Sequence, residues 1–183
     1  MLFRSLLELE KLTTSSNPDI VIASCGDTPN IEAIACVSLL KKYIPDINLR
    51  FINVLEVLKL ETNKRNKNGL SDEEFIKYFT KDKPVIFNFH GYPMFIYSLI
   101  YDRPNKNFYV HGYEEEGSIT TAFDMRLRNK IDRFSLCSEV LALLPNSKGK
   151  DELEKYIATT LEKHYKHAKE VGIDLEEITN FEI

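Results

Sequence analysis

The residue types best suited to chemistry in this chain lie in two His-Gly-Tyr triplets, at residues 90–92 and 111–113. Each triplet comes at or just past the end of a short apolar run that predicts a buried strand. Imidazole exchanges protons near neutral pH, phenol donates and accepts hydrogen bonds, and glycine permits a close backbone approach. In open α/β sheets, ligands and partners bind at this end of the strands. Sharp turns whose tyrosines anchor the sheet edge explain the triplets equally well, so both interpretations stay open.

An arginine further along the chain joins this group, because a guanidinium forms bidentate contacts with a carboxylate or phosphate. The candidate contacts to a ligand, an interface or the sheet edge are therefore His90, Tyr92, His111, Tyr113 and Arg133.

Three other motifs have simpler structural explanations. Cys25 precedes a predicted helix, which can lower a thiol pKa, but no histidine is near it in sequence. A buried strand-end cysteine is therefore favoured over the nucleophile of a hydrolase.

The turn from Cys25 to Pro29 could hold an anion at a helix N-terminus, but it has one glycine, and Asp27 would repel a phosphate. His164 and His167 have a spacing that could bind a metal, but lysines surround them, so a solvated helix face is predicted.

The composition excludes several classes of protein. The 183 residues, of 21.2 kDa, are enough for one domain with a substantial core. The net charge of −4 argues against nucleic-acid binding, and no apolar run approaches the roughly 18–20 residues that span a bilayer. Three cysteines without C-x-x-C spacing argue against a disulfide framework or a structural zinc site. We therefore expect a cytoplasmic protein with neither a nucleic-acid nor a membrane partner.

Hydrophobic patterns predict strands at residues 19–24, 49–54, 85–89 and 108–113, alternating with helices. Ser71 with Glu74 forms a predicted capping box, Thr28 a predicted N-cap, and Gly172 a predicted helix end. Alternating strands and helices predict a three-layer α/β/α fold with a mainly parallel sheet. We divide the chain into an amphipathic helix or linker at residues 1–17, an α/β domain at 18–172 and an unassigned tail at 173–183. The helix at 1–17 has an apolar stripe of Leu2, Leu6 and Leu9.

Several long motifs, in one order, resemble the C-terminal domain of xylulose-5-phosphate/fructose-6-phosphate phosphoketolase. They are KPVIFNFHGYP at residues 83–93, GYEEEG at 112–117, TTAFDM at 120–125, DRF at 132–134, CGD at 25–27 with Pro29 and Glu32, Asn53 with Val54, and GLSD at 69–72. The resemblance runs from about residue 17 to about residue 171. The chain departs from the family pattern with Glu56 for Asp, Tyr97 for His, Glu114 for Lys and Ala122 for Pro.

This resemblance implies a fold like the C-terminal domain of transketolase. It also implies a whole enzyme that cleaves xylulose 5-phosphate or fructose 6-phosphate with phosphate, giving acetyl phosphate and an aldose phosphate. Such enzymes are dimers that bind thiamine diphosphate and a divalent metal, usually Mg²⁺, between their first two domains. The present chain is expected to hold neither, to supply no catalytic residue and to be inactive alone.

Two functions follow from the resemblance. In the first, the chain is the C-terminal domain of a phosphoketolase. It supports the dimer and the surroundings of the active site, with the remaining domains or a separate catalytic subunit as its partner. In the second, it is a free-standing metabolite-binding or regulatory module that uses the edge at His90 and His111. A hydrolase that uses Cys25 is the least favoured interpretation.

Overall fold

The computed structural model describes residues 17–114 and 119–181. The predicted helix with Leu2, Leu6 and Leu9 lies outside the described residues.

A four-stranded, fully parallel sheet forms the centre of the domain, which confirms the predicted fold class. The strands are β1 (Ile20–Cys25), β2 (Leu49–Asn53), β3 (Val85–Phe89) and β4 (Phe108–Gly112). Their order across the sheet is β2-β1-β3-β4. β1 is central and almost fully buried, as expected for a parallel strand covered on both faces.

Seven helices are described around this sheet. They are α1 (Asp27–Tyr43), α2 (Asp72–Phe79), α3 (Pro93–Ile100), α4 (Ala122–Arg128), α5 (Arg133–Leu143), α6 (Lys150–Val171) and α7 (Glu176–Thr179), and a 3₁₀ turn covers Val57–Leu60. The capping box at the start of α2 is confirmed, since Ser71 and Glu74 exchange side-chain and backbone hydrogen bonds. α6 ends as predicted at Gly172, which takes a φ of 78°.

The start of α1 differs from the prediction. Thr28 does not cap the helix, because α1 begins two residues earlier than predicted, at Asp27, after Gly26 with a φ of 106°. Glycine adopts this positive φ without the steric cost that a side chain would add. The chain therefore turns from β1 into α1 without a side-chain cap.

Two apolar cores cover the two faces of the sheet because successive strand residues point in opposite directions. Ile20 and Ile22 of β1 pack into the core beneath α1, α5 and α6. Val21 and Ala23 face the opposite core, beneath α2, α3 and the 3₁₀ turn. The sheet between two helical layers is the predicted α/β/α arrangement.

The prediction of a solvated face around His164 is wrong. His164 is buried, and its ring lies edge-on to Phe123 with 5.3 Å between ring centroids. The buried residues of α6 are spaced as one helical stripe, namely Leu153, Ile157, Thr160 and His164. This stripe places the imidazole in the core, so the lysines around it in sequence occupy the other faces of the helix.

The tail after α6 returns to the domain. The backbone N–H of Phe123 donates to Asp174 at 3.0 Å, and Ile178 is buried in the core beneath α1. The ring of Phe181 lies 4.7 Å from the guanidinium carbon of Arg133. The chain between residues 174 and 181 therefore packs against α4 and α5.

Candidate functional site

The two His-Gly-Tyr triplets lie side by side at the carboxyl ends of β3 and β4. In the register of this pair, Phe89 is opposite Gly112. His90 therefore comes opposite Tyr113, and their ring centroids are 5.2 Å apart. The two turns are in close contact, because a Cβ added at Gly112 would lie 2.1 Å from the carbonyl oxygen of Gly91. Glycine is thus required at residue 112.

His90 occupies the point where the strand order reverses. The chain leaves β1 to form β2 on one side, and β3 lies on the other side of β1. The backbone N–H of His90 donates to the carbonyl of Cys25 at 3.0 Å, so the histidine bridges the ends of β1 and β3. A Cβ at Gly26 would lie only 2.4 Å from that of His90. Clefts at such reversal points are the usual ligand sites of open α/β sheets.

The remaining members of the predicted group have separate environments. Tyr92 is exposed and directly precedes α3. The side chain of His111 points toward the helical layer that contains α5, where its Nε2 contacts a carboxylate oxygen of Glu139. Arg133 is buried at the start of α5. The structure thus brings His90 and Tyr113 together, and it gives His111 and Arg133 partners within the domain.

Arg133 forms the bidentate carboxylate contact that its residue type suggests, and the carboxylate is Glu32 of α1. Its Nε and Nη2 donate to the two oxygens of Glu32 at 2.8 and 3.0 Å. Arg126 donates to the same carboxylate at 2.7 Å. Burial alone would raise the pKa of Glu32, but the two guanidinium groups outweigh it and lower the pKa from its ordinary value.

Sequence reasoning missed Arg103, which is fully buried. Its Nε donates to the carbonyl of Leu60 at 2.7 Å, and its Nη2 donates to the carbonyls of Glu61 and Leu70. Its Nη1 forms an ion pair with Asp72 at 3.1 Å. The guanidinium thereby holds the segment between β2 and α2. A lone arginine after a helix gives no local signal of this role.

The environment of Cys25 does not favour the hydrolase interpretation. The thiol is half-buried, and burial raises its pKa from the ordinary value. It is therefore mostly protonated near neutral pH, whereas a nucleophile needs the thiolate.

Within residues 17–114 and 119–181, no three His, Cys, Asp or Glu side chains are grouped so that they could hold a metal ion. Two open hollows, of about 440 and 430 Å³, lie at the amino ends of the strands and between α4, α5 and α6. In the same residues, no helix is long and apolar enough to cross a membrane.

Comparison with known proteins identifies the family. Residues 5–183 match the family described as XFP C-terminal domain. The chain is a phosphoketolase C-terminal domain. It is 47% identical over 178 residues to a probable phosphoketolase of Pediococcus pentosaceus, and the aligned residues cover 96% of this chain and 22% of the relative. It is 48% identical over 166 residues to a probable phosphoketolase of Clostridium acetobutylicum, covering 90% and 21%. A xylulose-5-phosphate phosphoketolase of Lactiplantibacillus pentosus is 42% identical over 168 residues, covering 91% and 21%.

The phosphoketolase C-terminal domain described here thus spans about a fifth of the length of these relatives. The matched stretch includes the two His-Gly-Tyr triplets and the Glu32–Arg133 pair. In the described residues, the triplets provide a partly exposed surface, whereas the pair is internal.

Proposed function

We propose that this chain works as the C-terminal, structural part of a phosphoketolase that cleaves xylulose 5-phosphate or fructose 6-phosphate with phosphate. The products are acetyl phosphate and an aldose phosphate. The observation that carries this proposal is the match of 96% of this chain to 22% of a probable phosphoketolase. The name of the L. pentosus relative supports xylulose 5-phosphate as a substrate class.

In this proposal the rest of the enzyme holds thiamine diphosphate and Mg²⁺, which supply the carbon–carbon bond cleavage. The chain described here supports the homodimer and keeps the neighbouring domains in place. Its partner is the remaining part of the phosphoketolase, on the same polypeptide or as a separate catalytic subunit. We place it in the cytoplasm, where sugar phosphates are metabolised and where free thiols such as its three cysteines stay reduced.

The first experiment is an immunoblot of the source cells with an antibody to this domain. A band much larger than 21.2 kDa is expected if the domain belongs to a longer phosphoketolase polypeptide. A band near 21.2 kDa would mean a separate subunit, and co-purification must then recover a catalytic subunit with phosphoketolase activity. Co-purification without that activity would overturn the proposal.

A second experiment tests the inactivity of the isolated chain. The purified protein is incubated with xylulose 5-phosphate, phosphate, thiamine diphosphate and Mg²⁺, and acetyl phosphate is measured. None is expected, because the described residues lack a metal-ligand cluster. Acetyl phosphate formed in proportion to the protein would contradict the structural role.

The second candidate function is a metabolite-binding or regulatory module. The observation that favours it is the position of His90, which is exposed at the strand-order reversal and adjoins Tyr113. Thermal-shift measurements with phosphorylated sugars and nucleotides test this function. A saturable shift that His90→Ala abolishes would support it, and no shift with any of these compounds would exclude it for those classes.

A further inference from the structure

Helix α3 differs from the other six helices described in residues 17–114 and 119–181. Its eight residues, from Pro93 to Ile100, include no charged side chain, and the flanking residues are Tyr92 and Tyr101. Each of the other six carries at least two charged residues. A helix that is apolar all round is normally covered on all sides, whereas a surface helix has a charged or polar outer face.

The inner side of α3 is buried in the core, but its outer side is not covered. Ile96, Leu99 and Ile100 pack beneath the helix. The large exposed side chains of the outer surface, which we call the α3 patch, are Tyr92, Met94, Phe95, Tyr97 and Tyr101. The small polar Ser98 is exposed on the same helix. Met94 is 74% exposed and Tyr101 is 78% exposed.

The surroundings of the helix extend the α3 patch. The 3₁₀ turn packs beside α3, and its Leu58 is 55% exposed. On the other side, the hydroxyl of Tyr97 accepts a hydrogen bond of 3.2 Å from the backbone N–H of Val110. This places the patch next to β4, one of the two edge strands of the sheet. Exposed large apolar residues elsewhere, such as Tyr165 and Ile173, lie on segments rich in charge.

The composition of the α3 patch is that of a protein interface. Aromatic residues and methionine are enriched in the centres of interfaces, and lysine and glutamate are depleted there. A contiguous exposed apolar patch on a domain marks an interaction site. Three tyrosines, one phenylalanine and one methionine fit this description, and the Lys106 ammonium lies at the margin of the patch, 5.9 Å from the centre of the Tyr101 ring.

We propose that the α3 patch is the surface on which the rest of the phosphoketolase polypeptide docks. This inference rests on the proposed function and names the surface that it uses. The chain spans 21–22% of the relatives, so roughly four-fifths of their length lies outside it and must contact this domain somewhere. Interfaces between domains of one chain bury about 600–1,500 Å², an area that needs a surface the size of a helix and its neighbours.

The test uses a full-length chimera, in which this chain replaces the matched 178 residues of the P. pentosaceus relative. Hydroxyl-radical footprinting, read by mass spectrometry, compares the chimera with the isolated chain. We expect Met94 and Tyr101 to be labelled at least about fivefold more slowly in the chimera, because docking excludes water from them. Tyr165 is the internal control and is expected to be labelled at the same rate in both proteins. Equal labelling of Met94 and Tyr101 in both proteins would overturn the inference.

Two other occupants are distinguished by the same labelling. Protection of Met94 in the isolated chain that disappears on dilution would mean a second copy of the chain. Protection in the isolated chain that is lost when residues 1–16 are removed would mean the N-terminal segment. Either result would overturn the inference. Phosphoketolase activity is measured in parallel: protection without activity counts against the proposed function alone, and activity without protection counts against the docking surface alone.

A matched pair of variants adds a second measurement. Tyr101→Glu places a charge in the α3 patch, and Tyr165→Glu places one on α6 at another exposed tyrosine. In the isolated chain, both should unfold at nearly the wild-type temperature. In the chimera, Tyr101→Glu should lower the activity at least about tenfold, whereas Tyr165→Glu should leave it nearly unchanged. An equal effect of the two variants on the chimera would contradict the proposal.

Discussion

The guanidinium of Arg133 and the carboxylate of Glu32 form a bidentate ion pair in the interior of the domain, with N–O distances of 2.8 and 3.0 Å. Both residues are buried. The pair joins the first half of α1 to the start of α5, next to the carboxyl end of the sheet. The pair therefore fixes the position of α1 relative to α5 near the ends of the strands.

Removal of the arginine should destabilise the fold strongly. Arg133→Met leaves the buried Glu32 carboxylate with Arg126 and the backbone N–H of residue 133 as its donors. Breaking a buried pair in this way costs about 3–5 kcal/mol of unfolding free energy. The double variant Arg133→Met/Glu32→Leu removes both charges and should recover much of that loss. Urea unfolding of the three proteins measures both effects. A loss below about 1 kcal/mol in the single variant would mean that water reaches the carboxylate.

The same pair should make the free energy of unfolding depend on pH in the acid range. Because the pKa of Glu32 is lowered in the folded protein, its stabilisation is full above the unfolded pKa of about 4.5. It is lost as the pH falls through the folded-state pKa. Burial raises the pKa of Asp132, whose contribution has the opposite sign, so wild type must be compared with a variant that keeps Asp132.

The comparison is wild type with Glu32→Gln, in urea, from about pH 6 to about pH 3. The difference in unfolding free energy should shrink as the pH falls, because the protonated wild-type carboxyl comes to resemble the amide. Glu154→Gln, at an exposed residue of α6, is the control and should show a difference near zero throughout. A difference between wild type and Glu32→Gln that is constant with pH would contradict a lowered pKa.

Arg103 should be irreplaceable by lysine. Its planar group donates to three carbonyls and one carboxylate, whereas an ammonium at the end of a flexible chain cannot reach all four. Arg103→Lys should cost about 2–4 kcal/mol, because buried carbonyls lose their donors. Amide hydrogen exchange should accelerate between residues 57 and 71. Arg65→Lys, at an exposed arginine paired with Glu61, is the control and should leave the exchange rates unchanged.

These relationships separate what sequence could predict from what it could not. Periodicity and the Ser71 capping box depend on residues within a few positions of one another, so the strands and the start of α2 were predictable. The contact of His90 with Tyr113 follows from two adjacent strands ending in register. The Glu32–Arg133 pair joins residues 101 apart in sequence, and its partners become visible only when the helices pack. For His164, the helical stripe of α6 is present in the sequence, but the lysines at neighbouring positions favour a solvated face, and only the packed helix shows which side is buried.

The close approach of Gly26 and His90 can be measured with a second glycine as the control. Both Gly26 and Gly172 have positive φ, but a Cβ at Gly26 would meet His90 at 2.4 Å, whereas nothing lies within 4 Å of one at Gly172. Gly172→Ala should therefore cost about 1 kcal/mol, from the backbone conformation alone. Gly26→Ala should cost at least about 1 kcal/mol more in urea unfolding, because β1 and β3 must also separate at their ends. In a His90→Gly background, which removes the opposing Cβ, the cost of Gly26→Ala should fall. It should stay above that of Gly172→Ala, because Gly26 combines a φ of 106° with a ψ of 156°, a region open almost only to glycine, whereas Gly172 is left-handed helical. Equal costs of the two alanine variants in the wild-type background would mean that the strand ends move apart freely.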